Sequence, residues 1–147
     1  MNIKEMIKKY QDDGISDVLA VAKVCQEIIL HKIYESDMAG NVTIKGGVVM
    51  MNLSKDKRRA TRDLDLDFIK YSISNESIEK FINKLDKSKD NIKIEIESIK
   101  ELKHEDYKEK QVMAAFSDEY DNHYVFKLDI GVHANLDLEQ DEIYFDL

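Results

Sequence analysis

Asp63-Leu64-Asp65-Leu66-Asp67-Phe68 alternates strictly, with three aspartates on one face and Leu64, Leu66 and Phe68 on the other. Side chains two apart share a face of a β-strand, so this run predicts a half-buried strand with one acidic face. Aspartate is disfavoured within strands, and like charges about 6.5–7 Å apart along one face repel each other. Two explanations fit the run. An edge strand uses a charged, solvated face to deter aggregation. A divalent-cation site uses carboxylates as hard oxygen ligands, and Mg²⁺ commonly takes one or two of them together with phosphate oxygens of a substrate.

The sequence on either side supplies companions for this strand. Upstream, Asn41 to Lys45 is short and β-branched and runs into Gly46 and Gly47, after which Val48 to Leu53 reads as a helix. Glycines at a strand-to-helix junction allow close backbone approach, and a helix N-terminus favours phosphate. Gly47 precedes Asp63 by 16 residues, room for one helix and a loop. That loop, Ser54 to Arg62, holds Lys55, Lys57, Arg58, Arg59 and Arg62 and reads as an exposed basic segment. Arg59 or Lys55 there could pair with phosphate or with an RNA acceptor. Downstream, His123 to Val132 reads as a strand with Phe126, Leu128, Ile130 and Val132 facing the core. Lys127, Asp129 and Gly131 then share the opposite face. Placed beside the first strand, Asp129 would supply a third carboxylate.

The remaining elements follow from period and punctuation, in a chain without proline and with only five glycines. Ile3 to Gln11 predicts a short amphipathic helix that Asp12, Asp13 and Gly14 end. A second helix runs from Ile15 to about Ser36, with Ser16 as cap and Val18, Leu19, Ala22, Cys25, Ile29 and Ile33 on one face. Asn75 to Leu85 predicts a third helix, capped by Ser74 or Asn75. Lys84 to Lys93 reads as a solvated connection. Ile92 to Ile99 and Gln111 to Ser117 predict two further strands, with a hairpin turn at Tyr120, Asp121 and Asn122 before the last. Ile143 to Leu147 reads as a final strand.

Composition sets the bounds. The 147 residues suit one domain, and 30 acidic against 22 basic residues give a net charge of −8. Broad attraction to nucleic acid or to anionic membrane is thereby disfavoured, so a polyanion would have to bind at a local basic patch. The single cysteine, Cys25, excludes an internal disulfide and suits a reducing compartment; on its apolar helix face it should be packed. Apolar runs are too short to cross a bilayer, and the charged Met1 to Tyr10 is unlike a secretory signal. The expectation is a cytoplasmic protein.

Taken in order, Lys45-Gly46-Gly47, then Arg59-Ala60-Thr61-Arg62-Asp63-Leu64-Asp65, then Leu128-Asp129-Ile130-Gly131 resemble the motifs of the AbiEii/AbiGii toxin family, within the DNA polymerase β-like nucleotidyltransferase superfamily. The resemblance runs from about Val42 to Val132. It implies an α+β fold, a nucleotidyltransferase-type mixed β-sheet with packed helices, preceded here by two N-terminal helices. The expected organisation is one domain, with helices over 1–38 and a catalytic core over 41–147, lacking the family's C-terminal helical region. By the same resemblance Asp63, Asp65 and Asp129 are the catalytic and metal-holding carboxylates, with Mg²⁺ or Mn²⁺ as cofactor, and Asp67 lies outside them. Lys45, Gly46, Gly47, Arg59 and Thr61 would bind the nucleotide. The implied activity moves an NMP from an NTP to a macromolecular hydroxyl, on tRNA or on a protein, as the toxin of a toxin–antitoxin or phage-defence pair with a cognate antitoxin. Val48 stands where relatives carry Thr or Ser after the glycine pair, and His133, Ala134 and Asn135 follow the Asp129 strand in place of an acidic residue. Those departures and the missing region leave an alternative, a truncated or degenerate relative that binds nucleotide without turnover.

Overall fold

The computed structural model describes residues 2–45, 64–69, 72–103 and 108–132. Within them lie helices α1 (Ile3–Asp12), α2 (Asp17–Glu35) and α3 (Asn75–Asp86) and strands β1 (Val42–Lys45), β2 (Leu64–Phe68), β3 (Lys93–Lys103), β4 (Lys108–Ser117) and β5 (His123–Val132). The strands form one sheet in the order β1-β2-β5-β4-β3. β5 pairs parallel with β2, and every other pairing is antiparallel. This is the α+β mixed sheet that the sequence predicts. The helix expected over Val48 to Leu53, the basic segment Ser54 to Arg62 and the strand expected over Ile143 to Leu147 lie outside the described residues.

Local chemistry accounts for the boundaries. Asn2 caps α1 by accepting a hydrogen bond from the Glu5 amide. At the other end Gly14 takes φ +90°, its amide bonds the Gln11 carbonyl, and the Ile15 amide bonds the Tyr10 carbonyl. That pair of bonds closes a helix with a left-handed residue that glycine adopts at low cost, and the following Ile15 is buried against the core. Ser74 caps α3 by accepting from the Ser77 amide, and Ile78, Phe81, Ile82 and Leu85 turn inward. Phe81 meets Phe68 of β2 edge to face, with ring centroids 5.0 Å apart.

The apolar faces of the strands and helices make one core, which includes Leu64, Leu66, Phe68, Val112, Ala114, Phe116, Leu128 and Ile130 from the sheet. α2 is buried around most of its circumference, from Ala20 to Ile33. Cys25 lies fully inside it, and burial pushes its thiol pKa up to about 12, so it is packed as expected. Val18, expected on the inner face, is instead exposed near the start of the helix, and Val132 is partly exposed at the end of β5. Both fall where their elements run out of the core.

The connection before β3 departs from expectation. Lys32 of α2 is fully buried and donates to Ser88 Oγ at 2.8 Å, Asp90 Oδ1 at 2.8 Å and the Ile92 carbonyl at 2.7 Å. Part of the stretch Lys84 to Lys93, read as solvated, therefore closes over a buried ion pair. Asp90 Oδ1 also accepts from the Ile92 amide, and Asp86 accepts from the Ile94 amide, which aligns the start of β3.

A second polar anchor holds α1. Asp118, at the end of β4, accepts from the Ile3 amide at 2.8 Å, from the Tyr120 and Asn122 amides, and from the Asn122 side chain. Burial alone would raise its pKa, but these donors outweigh it and hold the carboxyl below its ordinary value. Replacing Asp118 with alanine should cost about 1–2 kcal/mol, the cost of a lost helix cap, read by urea denaturation at neutral pH. Because the folded-state pKa is lowered, the wild-type advantage should be present above the ordinary carboxylate pKa and disappear as pH falls through the lowered one.

Candidate functional site

β2 is not at the edge of the sheet. It lies between β1 and β5, so its aspartates are not the solvated face of an edge strand. The three helices contribute their apolar faces to the core on the Leu64, Leu66 and Phe68 side, which leaves the acidic side of β2 facing away from it.

The parallel register sets Asp65 of β2 directly beside Asp129 of β5, and Asp67 beside Gly131. Neighbouring strands lie about 4.8 Å apart, so Asp65 and Asp129 come as close as two residues of different strands can. On the far side of Asp65 its β1 partner is Lys45, and on the far side of Asp129 its β4 partner is Gln111. Glu109 pairs with Gly131 one row along. Carboxylate oxygens of Asp65, Asp129 and Glu109 all lie within 4.8 Å of one another.

Such an arrangement is electrostatically unfavourable without a counter-charge. The pKa of Asp129 rises to about 6, chiefly through burial; Lys127 opposes the rise, while Glu109, Asp65 and a hydrogen bond with Asp65 add to it. One oxygen of the carboxylate, Asp129 Oδ1, is buried with no hydrogen-bond partner among the described residues. A buried acceptor without a partner costs about 1–3 kcal/mol, and an ion is one of the few things that satisfies it. Three carboxylates offer hard oxygen ligands of the kind that Mg²⁺ and Mn²⁺ prefer.

Of the predicted site residues, the structure thus brings together Asp65 and Asp129 and places the backbone of Lys45 beside Asp65. Asp63, Gly46, Gly47, Arg59 and Thr61 lie outside the described residues. Glu109 is the member that the sequence reading missed. The strand was expected to begin at Gln111, whereas β4 begins at Lys108, and Lys108-Glu109-Lys110 looks like loop when read alone. Extending the alternation of Gln111, Met113 and Ala115 back by two residues would have found it.

A mixed five-stranded sheet that buries one face under helices and gathers acidic residues on the other makes an α+β fold consistent with a nucleotidyltransferase-like one. A family model described as nucleotidyl transferase AbiEii toxin, type IV toxin–antitoxin system, matches residues 28–146, and the chain belongs to that family. The match begins within α2 and takes in all five strands. No match is found among curated proteins. Among the described residues, no helix is long and apolar enough to cross a membrane.

Proposed function

We propose that the chain is a metal-dependent nucleotidyltransferase toxin that transfers a nucleoside monophosphate from an NTP to a macromolecular hydroxyl, on tRNA or on a protein. The observation that carries this reading is the side-by-side placement of Asp65 and Asp129 on adjacent parallel strands, with a buried, unsatisfied oxygen on Asp129. In this reading Asp63, Asp65 and Asp129 hold Mg²⁺ or Mn²⁺. When bound, the cation neutralises charge on the triphosphate and on the departing pyrophosphate.

The chain's own residues carry the remaining tasks. Gly46 and Gly47 follow in sequence on Lys45, the β1 partner of Asp65, and in this reading their amides bind the triphosphate. Arg59 and Thr61, shortly before Asp63 in sequence, would contact the same phosphates. Asp129 orients the attacking hydroxyl and accepts its proton as the oxygen bonds to the α-phosphorus and the bond to pyrophosphate breaks. The basic residues Lys55, Lys57 and Arg58 give an otherwise acidic chain one place to meet an RNA acceptor.

Val48, in the place of a family hydroxyl after the glycines, favours a second reading, a relative that binds nucleotide without turnover. Calorimetric titration of NTPs with and without Mg²⁺, on wild type and on Asp65→Ala, separates the two. Wild type should bind only with the cation, and the variant should bind weakly in both conditions. Equal affinity in all four titrations would sink the metal-bridged site, and cation-dependent binding without transfer to any hydroxyl would favour the second reading.

A further inference from the structure

We propose that Glu109 is a further protein ligand of the divalent cation, beside Asp65, Asp129 and the Asp63 assigned above, so that the chain loads the ion before any nucleotide arrives. This rests on the metal-dependent reading above and adds a residue from a strand that the sequence motifs do not touch.

The argument begins with the register. Gln111 stands opposite Asp129, and Glu109 stands opposite Gly131, so Glu109 is the diagonal neighbour of Asp129 on the same face of the β4–β5 pair. Diagonal neighbours across strands are about 7–8 Å apart, too far for a second aspartate to close the gap but within reach of a side chain one methylene longer. The residue between Glu109 and Asp67 in that row is Gly131. Any larger residue there would project its side chain onto this face, between the two acids. Gly131 is not among the residues with positive φ, so its backbone does not demand glycine.

Distance and valence agree with this. The oxygens of Asp65, Asp129 and Glu109 fall within 4.8 Å of one another. Around a six-coordinate Mg²⁺ with bonds of about 2.1 Å, ligand oxygens are separated by about 3–4 Å, so small side-chain rotations would bring the three onto one ion. The unpartnered Asp129 Oδ1 supplies an acceptor already stripped of water. Two carboxylates commonly need substrate phosphate to complete a Mg²⁺ site. Glu109 adds a further negative charge and ligand oxygen to the carboxylates already assigned, which favours holding the ion without that phosphate.

The test uses the full chain without nucleotide. Mn²⁺ is titrated into wild type, Glu109→Gln, Glu109→Asp and Asp65→Asn, and bound metal is read by calorimetry and by loss of the electron paramagnetic resonance signal of free Mn²⁺. Circular dichroism melts in chelator check that each variant folds. Wild type should bind one ion. Glu109→Gln, which keeps reach and loses charge, and Glu109→Asp, which keeps charge and loses reach, should each weaken binding at least tenfold, and Asp65→Asn should abolish it. If both Glu109 variants bind like wild type while Asp65→Asn does not, Glu109 is no ligand and the metal site stands without it. If only Glu109→Asp binds like wild type, Glu109 acts through charge alone and the proposed ligation is wrong. A wild type that takes up Mn²⁺ only with NTP overturns loading before nucleotide, and one that takes up none even with NTP overturns the metal-dependent reading itself.

Discussion

Asp65→Asn should reduce nucleotidyl transfer about a thousandfold, roughly 4 kcal/mol of transition-state stabilisation, measured with labelled NTP at saturating Mg²⁺. The substitution is nearly isosteric and removes one negative charge at the position in register with Asp129. The same reasoning gives Asp129→Asn an opposite effect on the fold. The pKa of Asp129 in the folded chain is about 6, raised by burial and then by Glu109 and Asp65 against the pull of Lys127. A carboxyl whose folded-state pKa is raised destabilises the fold at pH values above that pKa, and the penalty fades as pH falls from about 6 towards its unfolded value. With screening of a partly exposed group, metal-free Asp129→Asn should be about 1 kcal/mol more stable than wild type at pH 8 and no more stable near pH 4. Loss of activity together with a gain of stability is the mark of a charge kept for chemistry. A variant that lost both would point to a structural role.

The largest effect on stability should come from Lys32. Its ammonium, fully buried, holds Asp90, Ser88 and the Ile92 carbonyl together, and Asp90 is itself 4% exposed at the side chain. Lys32→Met removes the cation and strands a buried carboxylate, which should cost about 3–5 kcal/mol, a large part of a typical domain's total stability. The double variant Lys32→Met/Asp90→Asn removes the stranded charge as well and should recover part of that loss. Equilibrium urea unfolding of the three proteins decides the matter, and a single variant as stable as wild type would refute the buried pair's role.

Lys32 also shows where sequence reading stops. The helix around it was legible from its apolar spacing, yet the partners of the lysine lie 56 to 60 residues further on, in a stretch whose composition looks solvated. By contrast, β2 was legible because it alternates over its length and β5 because it alternates from Phe126 to Ile130, and that alternation assigns Asp65 and Asp129 to polar faces. Alternation does not say which strands are neighbours. The contact of Asp65 with Asp129 depends on a parallel pairing, and resemblance to a family pointed to it where periodicity did not. Glu109 escaped both routes. Its flanking lysines mask the first turn of the pleat, and no family motif covers it. The interior position of β2 was equally invisible, which is why an edge strand remained a live reading until the sheet order decided it.

The insertion of β5 between β2 and β4 bears on how the chain comes into being. β3, β4 and β5 follow one another as antiparallel neighbours and can pair as they are synthesised, whereas β2 waits for a strand whose matching aspartate lies 64 residues later, at Asp129 against Asp65. Closing that loop costs entropy that no earlier contact between these strands repays, so the parallel pairing is the slow, non-local step of assembly. Until it forms, Asp65 has no carboxylate beside it on β5, and the proposed cation site is incomplete. On the proposed reading, the site is assembled only after the central strand has been delivered.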